Sequence, residues 1–330
     1  MLSIAPIFSK VVAESLLSLY PVFVKKIGLT IPTQLWTRLL AYVIISIFFI
    51  NKTFVLQSLT SYNAILLALI NLSHIYFSYM GFTYLDSGVS FTIFNTYPFM
   101  ILLMSNAPWN NAYLLALAGF AIFAYENYIH SGDEQKKEEN EKIQEMIDEK
   151  NNNAWHNPFI FGVIMILLSA FTEALIYFLV KKVKTTNNWD HVFISYFLGA
   201  LIMSIYMGYK YYFNKEEGSH VSFLDPLKGS RMFAETSRVK EDFEINKDVT
   251  INNRIIIALL LNGILGALGY YFRFYAAYRL DSQIYAILSY IGIIMAYVYG
   301  IVLNNEKLSI YKIIGTLFII IANYMILRKK

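Results

Sequence analysis

The sequence predicts an all-α integral membrane protein, with about ten transmembrane helices arranged as two inverted five-helix repeats. Three observations carry this expectation. The 330 residues are 57% hydrophobic and only 15% charged. The apolar residues fall into about ten separate continuous blocks, each near the roughly 20 residues that a helix needs to cross a hydrocarbon core. Blocks without polar alternation indicate helices rather than barrel strands. Finally, the tripeptide Leu-Asp-Ser occurs twice, as Leu85-Asp86-Ser87 and Leu280-Asp281-Ser282. In each half of the chain, three apolar blocks precede it and two follow. A module with an odd number of spans enters the bilayer upside down when it is repeated.

Span 1 is expected at Ile4–Val24, closed by Lys25 and Lys26. It carries Lys10 and Glu14 and lacks a small-residue cleavage site, so it reads as a retained span and not a signal peptide. Span 2, Thr33–Ile50, begins just after Pro32. Span 3, Tyr62–Thr83, meets span 4, Ser87–Met104, through a turn so short that the two must be antiparallel neighbours. Span 5 is Asn111–Asn127. Spans 6 and 7 are placed at Pro158–Val180 and Val192–Tyr212, and spans 8, 9 and 10 at Arg254–Tyr278, Ser282–Leu303 and Ser309–Leu327. The first repeat is therefore 1–129, a hydrophilic linker occupies 130–157, and the second repeat is 158–330 with a polar insertion at 213–253. Mixed charge and few aromatic residues mark both polar segments as solvated.

With the amino terminus inside, the short inner segments carry Lys52, Lys181, Lys182, Lys184, Arg279 and the terminal Arg328, Lys329 and Lys330. The short outer ones carry only Lys25, Lys26 and Lys307. This asymmetry favours both termini in the cytosol of a multi-pass protein.

Enzyme chemistry finds no support. No nucleophile elbow, zinc-protease motif or phosphate-binding loop occurs, and without cysteine there is no disulfide or thiolate metal site. No cofactor, metal or nucleic-acid partner is expected. The partners are the lipid bilayer and a small-molecule substrate, and movement of that substrate must draw on a gradient or be passive exchange.

The second half contains Leu265-Gly266-Ala267-Leu268-Gly269-Tyr270-Tyr271-Phe272-Arg273, continuing through Ala276 to Ser282. This stretch resembles the eighth span of the EamA-like branch of the drug/metabolite transporter superfamily, a Gly-x-x-Gly followed by an aromatic tract. Glu306 and Gly315 are similar to that family's Gly-Glu-x-Leu…Gly pattern, with Asn305 in the first Gly position. Tyr20, Pro21 and Arg38 resemble its first two spans. In the first repeat, Ser105–Trp109 has no acidic residue where the second has Glu306. The resemblance implies export or exchange of small metabolites, through a central cavity lined mainly by spans 1, 3, 4, 6, 8 and 9.

Charges inside spans are the sharpest pointers to such a site, since each costs roughly 2.5–3.5 kcal/mol at a helix centre on insertion scales. Glu14 and Lys10 share a face of span 1, and Glu173 lies in span 6, its repeat equivalent. Two readings of these carboxylates stand: binding of a proton or cation, or neutralisation of Lys10 and of a basic neighbour. Arg273 in span 8 can hold an anion bidentately or pair with a carboxylate. His74 occupies nearly the equivalent place in span 3 and is either a titrating or a packing residue. Asn95, beside Tyr97 and Pro98, sits where proline frees backbone carbonyls toward a cavity. Tyr270 and Tyr290 offer rings with polar tips for a cavity wall, or for packing. Ala116, Gly119 and Gly315 are placed as scaffold or homodimer contacts. The rival function is a non-transporting scaffold or receptor-type protein that retains the fold, with its cavity filled by Tyr and Phe.

Overall fold

A computed structural model describes residues 4–27, 29–104, 111–139, 158–216, 253–280 and 282–328, and among them every regular element is a helix. In chain order these are α1 (Ile4–Leu17), α2 (Tyr20–Ile27), α3 (Ile31–Ser46), α4 (Lys52–Leu59), α5 (Tyr62–Tyr84), α6 (Ser87–Phe94), α7 (Tyr97–Met104), α8 (Ala112–Glu139), α9 (Pro158–Val180), α10 (Asn188–Glu216), α11 (Asn253–Arg279), α12 (Ser282–Asn304) and α13 (Ile310–Arg328). Among the described residues, five helical stretches are long and apolar enough to cross a membrane: Ile4–Ile27, Tyr62–Tyr84, Pro158–Val180, Asn188–Lys210 and Ile255–Arg279. Shorter apolar helices lie at Leu114–Glu126, Leu288–Asn304 and Ile310–Ala322. Large apolar side chains such as Phe48, Leu117, Ile205, Leu260, Val302 and Leu317 face outward. The polar and charged side chains Lys10, Glu14, Arg38, Asn71, His74, Glu173, Asn262 and Arg273 are instead buried inside. That inversion of a soluble protein's pattern suits a chain whose outer solvent is lipid.

Two of the expected spans are each built from two helices. The α1–α2 break falls at Ser18 and Leu19, where Leu19 donates to the carbonyl of Leu16 at 3.3 Å instead of continuing the α-helical ladder. The α6–α7 break falls at Asn95 and Thr96, with Thr96 donating to Ile93 at 3.1 Å. A Tyr-Pro pair follows both breaks, Tyr20-Pro21 and Tyr97-Pro98. Proline lacks the amide that would bond one turn back, and its ring crowds that carbonyl.

The helix α4 occupies a connection the sequence reads as a loop. Asn51 caps it by accepting from the Phe54 amide at 3.3 Å. The start of α10 is held by a reciprocal cap: Asp190 donates its amide to the Asn187 side chain at 2.9 Å, while its carboxylate accepts from the Asn187 amide at 3.1 Å. Asp190 also accepts from the Asn51 amide at 2.9 Å, joining this end to α4. At the linker, α8 continues to Glu139, past the expected end at 129, and α10 reaches Glu216, into the polar insertion. The remainder of both polar segments, the Ser105–Trp109 loop and Asp281 lie outside the described residues.

Packing follows a regular scheme. α5 lies along α9, and α1 along α11; α8 pairs with α13, α3 with α10, and α6 with α12. Exchanging the first-half spans for their second-half counterparts turns the α5–α9 contact into the α11–α1 contact and returns the other three to themselves. Glycines sit at the tightest crossings. A Cβ on Gly81 of α5 would come within 3.1 Å of the Gly162 carbonyl of α9, and one on Gly269 of α11 within 2.8 Å of Leu17 in α1. Gly119 and Gly315 face each other, a Cβ on the former meeting the latter's carbonyl at 2.8 Å. Those small residues let α8 and α13 approach within the chain.

Candidate functional site

A narrow cavity of about 20 Å³ borders the break between α1 and α2. Leu17 and Tyr20 line it from the first span, Arg38 from α3, His74, Ile75, Ser78 and Phe82 from α5, Phe91 and Phe94 from α6, and Tyr270 and Arg273 from α11. Both halves of the chain therefore contribute. Compared with the wall implied by the resemblance, α3 is an addition, through Arg38. Among the described residues, none of the sixth or ninth span lines the cavity; Glu173 of α9 and Tyr285 of α12 instead contact Arg273.

One charge centre surrounds Arg273. Its Nη2 lies 2.6 Å from Glu173 Oε1, and its Nε donates to the Tyr285 hydroxyl at 3.2 Å. The Nη2 contact is an ion pair without hydrogen-bond alignment. On the other side of the carboxylate, His74 Nε2 is 3.6 Å from Glu173 Oε2. His74 Nδ1 lies 3.1 Å from the Ser169 carbonyl, an acceptor only, so Nδ1 carries the hydrogen in this contact. All three side chains are at least 94% withdrawn from solvent, with side-chain exposures of 4%, 5% and 6%.

A second centre surrounds Arg38, which is 2% exposed. Its Nη1 donates to the Tyr79 hydroxyl at 2.9 Å, and its Nε donates to Tyr42. The guanidinium lies 3.5 Å from the centre of the Tyr20 ring and within 6 Å of the Tyr42, Tyr79 and Tyr270 rings. Tyr20 and Tyr42 join their hydroxyls at 2.7 Å, and Asn262 donates to Tyr79 at 3.0 Å. Ring faces stabilise a desolvated guanidinium electrostatically. Gly266 leaves the space for this cage, since a Cβ there would collide with the Tyr20 and Tyr42 hydroxyls.

Glu14 forms no ion pair with Arg38 or Arg273 among the described residues, although its charge reaches Arg273. Lys10, fully buried, forms an ion pair with it inside one turn of α1. The Lys10 ammonium also sits 3.6 Å above the Tyr285 ring. Tyr285 of α12 thus touches Lys10 on its face and Arg273 at its hydroxyl, lying between the two ion pairs.

Of the candidates named from sequence, Glu173, Arg273 and His74 come together, and Tyr270 joins them at the wall. Asn95 ends α6, its Nδ2 donating to the Phe91 carbonyl at 2.8 Å. Tyr290 is off the cavity wall, and its buried hydroxyl has no hydrogen-bond partner among the described residues. The tyrosine cage was missed as a functional unit. Arg38 is marked in the sequence only by the family resemblance, and nothing there brings Tyr20, Tyr42, Tyr79 and Tyr270 to it.

Over residues 241–328 the chain matches the sequence model of the EamA-like transporter family, the family its residues resemble. No curated protein matches it.

Proposed function

With an EamA-like transporter segment as the premise, we propose that this protein carries a small metabolite across a membrane, as an exporter or exchanger, by alternating access between two inverted five-helix halves. The halves are 1–129 and 158–330, joined by the hydrophilic segment 130–157, with both termini in the cytosol. The exchange symmetry of the helix pairings supports this arrangement, because a two-fold relation between the halves requires the α5–α9 and α1–α11 contacts to occur together.

The observation that carries the reading is a charged cavity walled by both halves. A scaffold would close that space with aromatic side chains. Here Tyr20, Phe82, Phe91, Phe94 and Tyr270 share the wall with Arg38, His74, Ser78 and Arg273, so the lining carries charged and polar groups beside the aromatic rings.

Glu173 and His74 are the coupling pair in this reading. With the His74 hydrogen on Nδ1, its Nε2 lone pair faces Glu173 Oε2, which has no hydrogen-bond partner of its own. A single proton placed between them satisfies both atoms. Arg273 then holds the carboxylate when the proton leaves. Glu14 serves chiefly to neutralise Lys10.

The test is flux in proteoliposomes carrying the purified full chain. A panel of labelled amino acids, organic acids, amines and sugars is followed with and without an imposed pH gradient. At least one solute should accumulate, and Glu173→Gln should abolish gradient-driven accumulation while leaving solute exchange. A correctly inserted, stable protein that moves none of them overturns the transporter reading.

A further inference from the structure

We infer that the cavity takes a small organic anion, its carboxylate or phosphate held by Arg38 together with Arg273 and its body laid against the phenylalanine wall. The inference rests on the transport reading and adds to it the class of substrate.

The charges around the cavity do not balance. Lys10 has Glu14, and Arg273 has Glu173. Among the described residues, no carboxylate lies within ion-pair distance of Arg38, although it is 2% exposed. With His74 neutral, the buried groups around the cavity carry one uncompensated positive charge. An unpaired buried guanidinium is costly, and tyrosine rings and hydroxyls offset only part of that cost because they carry no net charge.

Arg38 also retains donor capacity. Nε and Nη1 are engaged by Tyr42 and Tyr79, while Nη2 has no hydrogen bond among the described residues, and the side chain lines the cavity. The cage fixes the plane of the guanidinium from four helices, α2, α3, α5 and α11, before any ligand arrives. A pre-oriented planar donor matches a carboxylate or phosphate. The second arginine is competent to join. Its Nη2 meets Glu173 off the hydrogen-bonding direction, so an entering anion can take that donor and leave Glu173 to the proton shared with His74.

The remaining wall selects the body of the ligand. Phe82 and Phe91 stack with centroids 6.2 Å apart, and Phe94 adjoins Phe91 at 5.8 Å. A flat apolar body packs there. At about 20 Å³ the cavity is narrow and must widen to admit the ligand, as the alternating access of the transport reading requires.

Thermal unfolding of the purified full chain in detergent tests the assignment with four probes that share a ring and differ in head group: phenylacetate, phenyl phosphate, 2-phenylethanol and 2-phenylethylamine. At least one of the two anions should raise Tm, by about 2–5 °C near saturation. The alcohol and the amine should not. Arg38→Lys, which keeps the charge and loses the planar fork, should weaken the apparent Kd on the order of tenfold. Arg38→Gln should abolish the shift; should that variant fail to fold, the Arg38→Lys titration and the head-group comparison on the unaltered protein decide. No shift with either anion, an equal shift with the alcohol or amine, or a shift unchanged in Arg38→Lys overturns the proposal. Proteoliposome flux separates the two readings. Transport of the amine or alcohol but of neither anion overturns the anion assignment and leaves a transporter. Anion binding that depends on Arg38, with no flux of any solute in the wider panel, keeps the anion site and overturns transport.

Discussion

Glu306 closes on Ser87 from the far end of the chain: its Oε2 accepts from the Ser87 amide at 2.7 Å and its Oε1 from the Ser87 hydroxyl at 2.7 Å. The carboxylate therefore satisfies the open amino end of α6, where the helix dipole favours negative charge. Lys25, at the end of α2, joins it at 2.8 Å. Gly300 makes room, since a Cβ there would lie 2.9 Å from the Glu306 carboxyl carbon. One side chain thus ties the ends of α2, α6 and α12 together, and the adjacent ion pair of Asp86 with Lys312 reinforces that end.

Replacing Glu306 with Gln should loosen this clasp. The amide keeps one acceptor but loses the charge that pairs with Lys25, so a loss of about 1–3 kcal/mol is expected. Thermal unfolding in detergent measures it. A cysteine introduced at Asp86 in the Glu306→Gln background should also react faster with a membrane-impermeant maleimide; unchanged stability and unchanged labelling would remove the clasp from the account.

Asn305 explains how that carboxylate is aimed. Its φ is +56°, the left-handed region, where glycine is unstrained and Asn is the best tolerated substitute. Asn305→Gly should therefore be neutral or slightly stabilising. Asn305→Val should cost about 1–3 kcal/mol through strain and should lower the yield of folded protein in size-exclusion chromatography. Equal tolerance of both changes would show that the turn adjusts freely.

Lys10 and Glu14 are expected to behave as a unit. Glu14→Gln leaves a fully buried ammonium without its counter-charge, and breaking such a pair costs about 3–5 kcal/mol. The double change Lys10→Met with Glu14→Gln should recover most of the stability and the transport. Uptake measured against pH in the single and double variants discriminates: a stable double variant without gradient-driven uptake would move the coupling role to Glu14.

Topology has its own test in a chain free of cysteine. Single cysteines at Asp86 and Asp281 should label from opposite faces of the membrane, because an odd number of spans separates each position from its counterpart. Labelling of both from one face would exclude inverted halves.

The intramembrane charges were readable because each violates the apolar pattern of its block. That reading singled out Glu173, Arg273 and His74, which do converge. It placed Glu14 beside Lys10, as helix spacing alone requires. The two Tyr-Pro pairs were visible as well, yet the breaks they make in α1–α2 and α6–α7 were drawn as continuous spans, since local pattern does not say whether neighbouring helices tolerate the missing hydrogen bond. Arg38 shows the limit most clearly. In the sequence it is marked only by the family resemblance, and its role depends on tyrosines at 20, 42, 79 and 270, whose convergence no spacing encodes.

By itself the sequence determined that the chain is helical and apolar outside, which residues are charged within it, where the turn at Leu85 and Asp86 must be tight, and that the Leu-Asp-Ser tripeptide recurs. Hydropathy and backbone hydrogen bonding decide those properties locally, over one helix length. Only the tertiary structure decided which charges pair, that Glu306 reaches Ser87, that α3 joins the cavity wall, and that Arg38 has no carboxylate beside it among the described residues. Those outcomes depend on contacts between helices far apart in the chain, where small residues such as Gly81, Gly162, Gly266 and Gly269 set how closely the backbones approach and therefore which polar groups can meet.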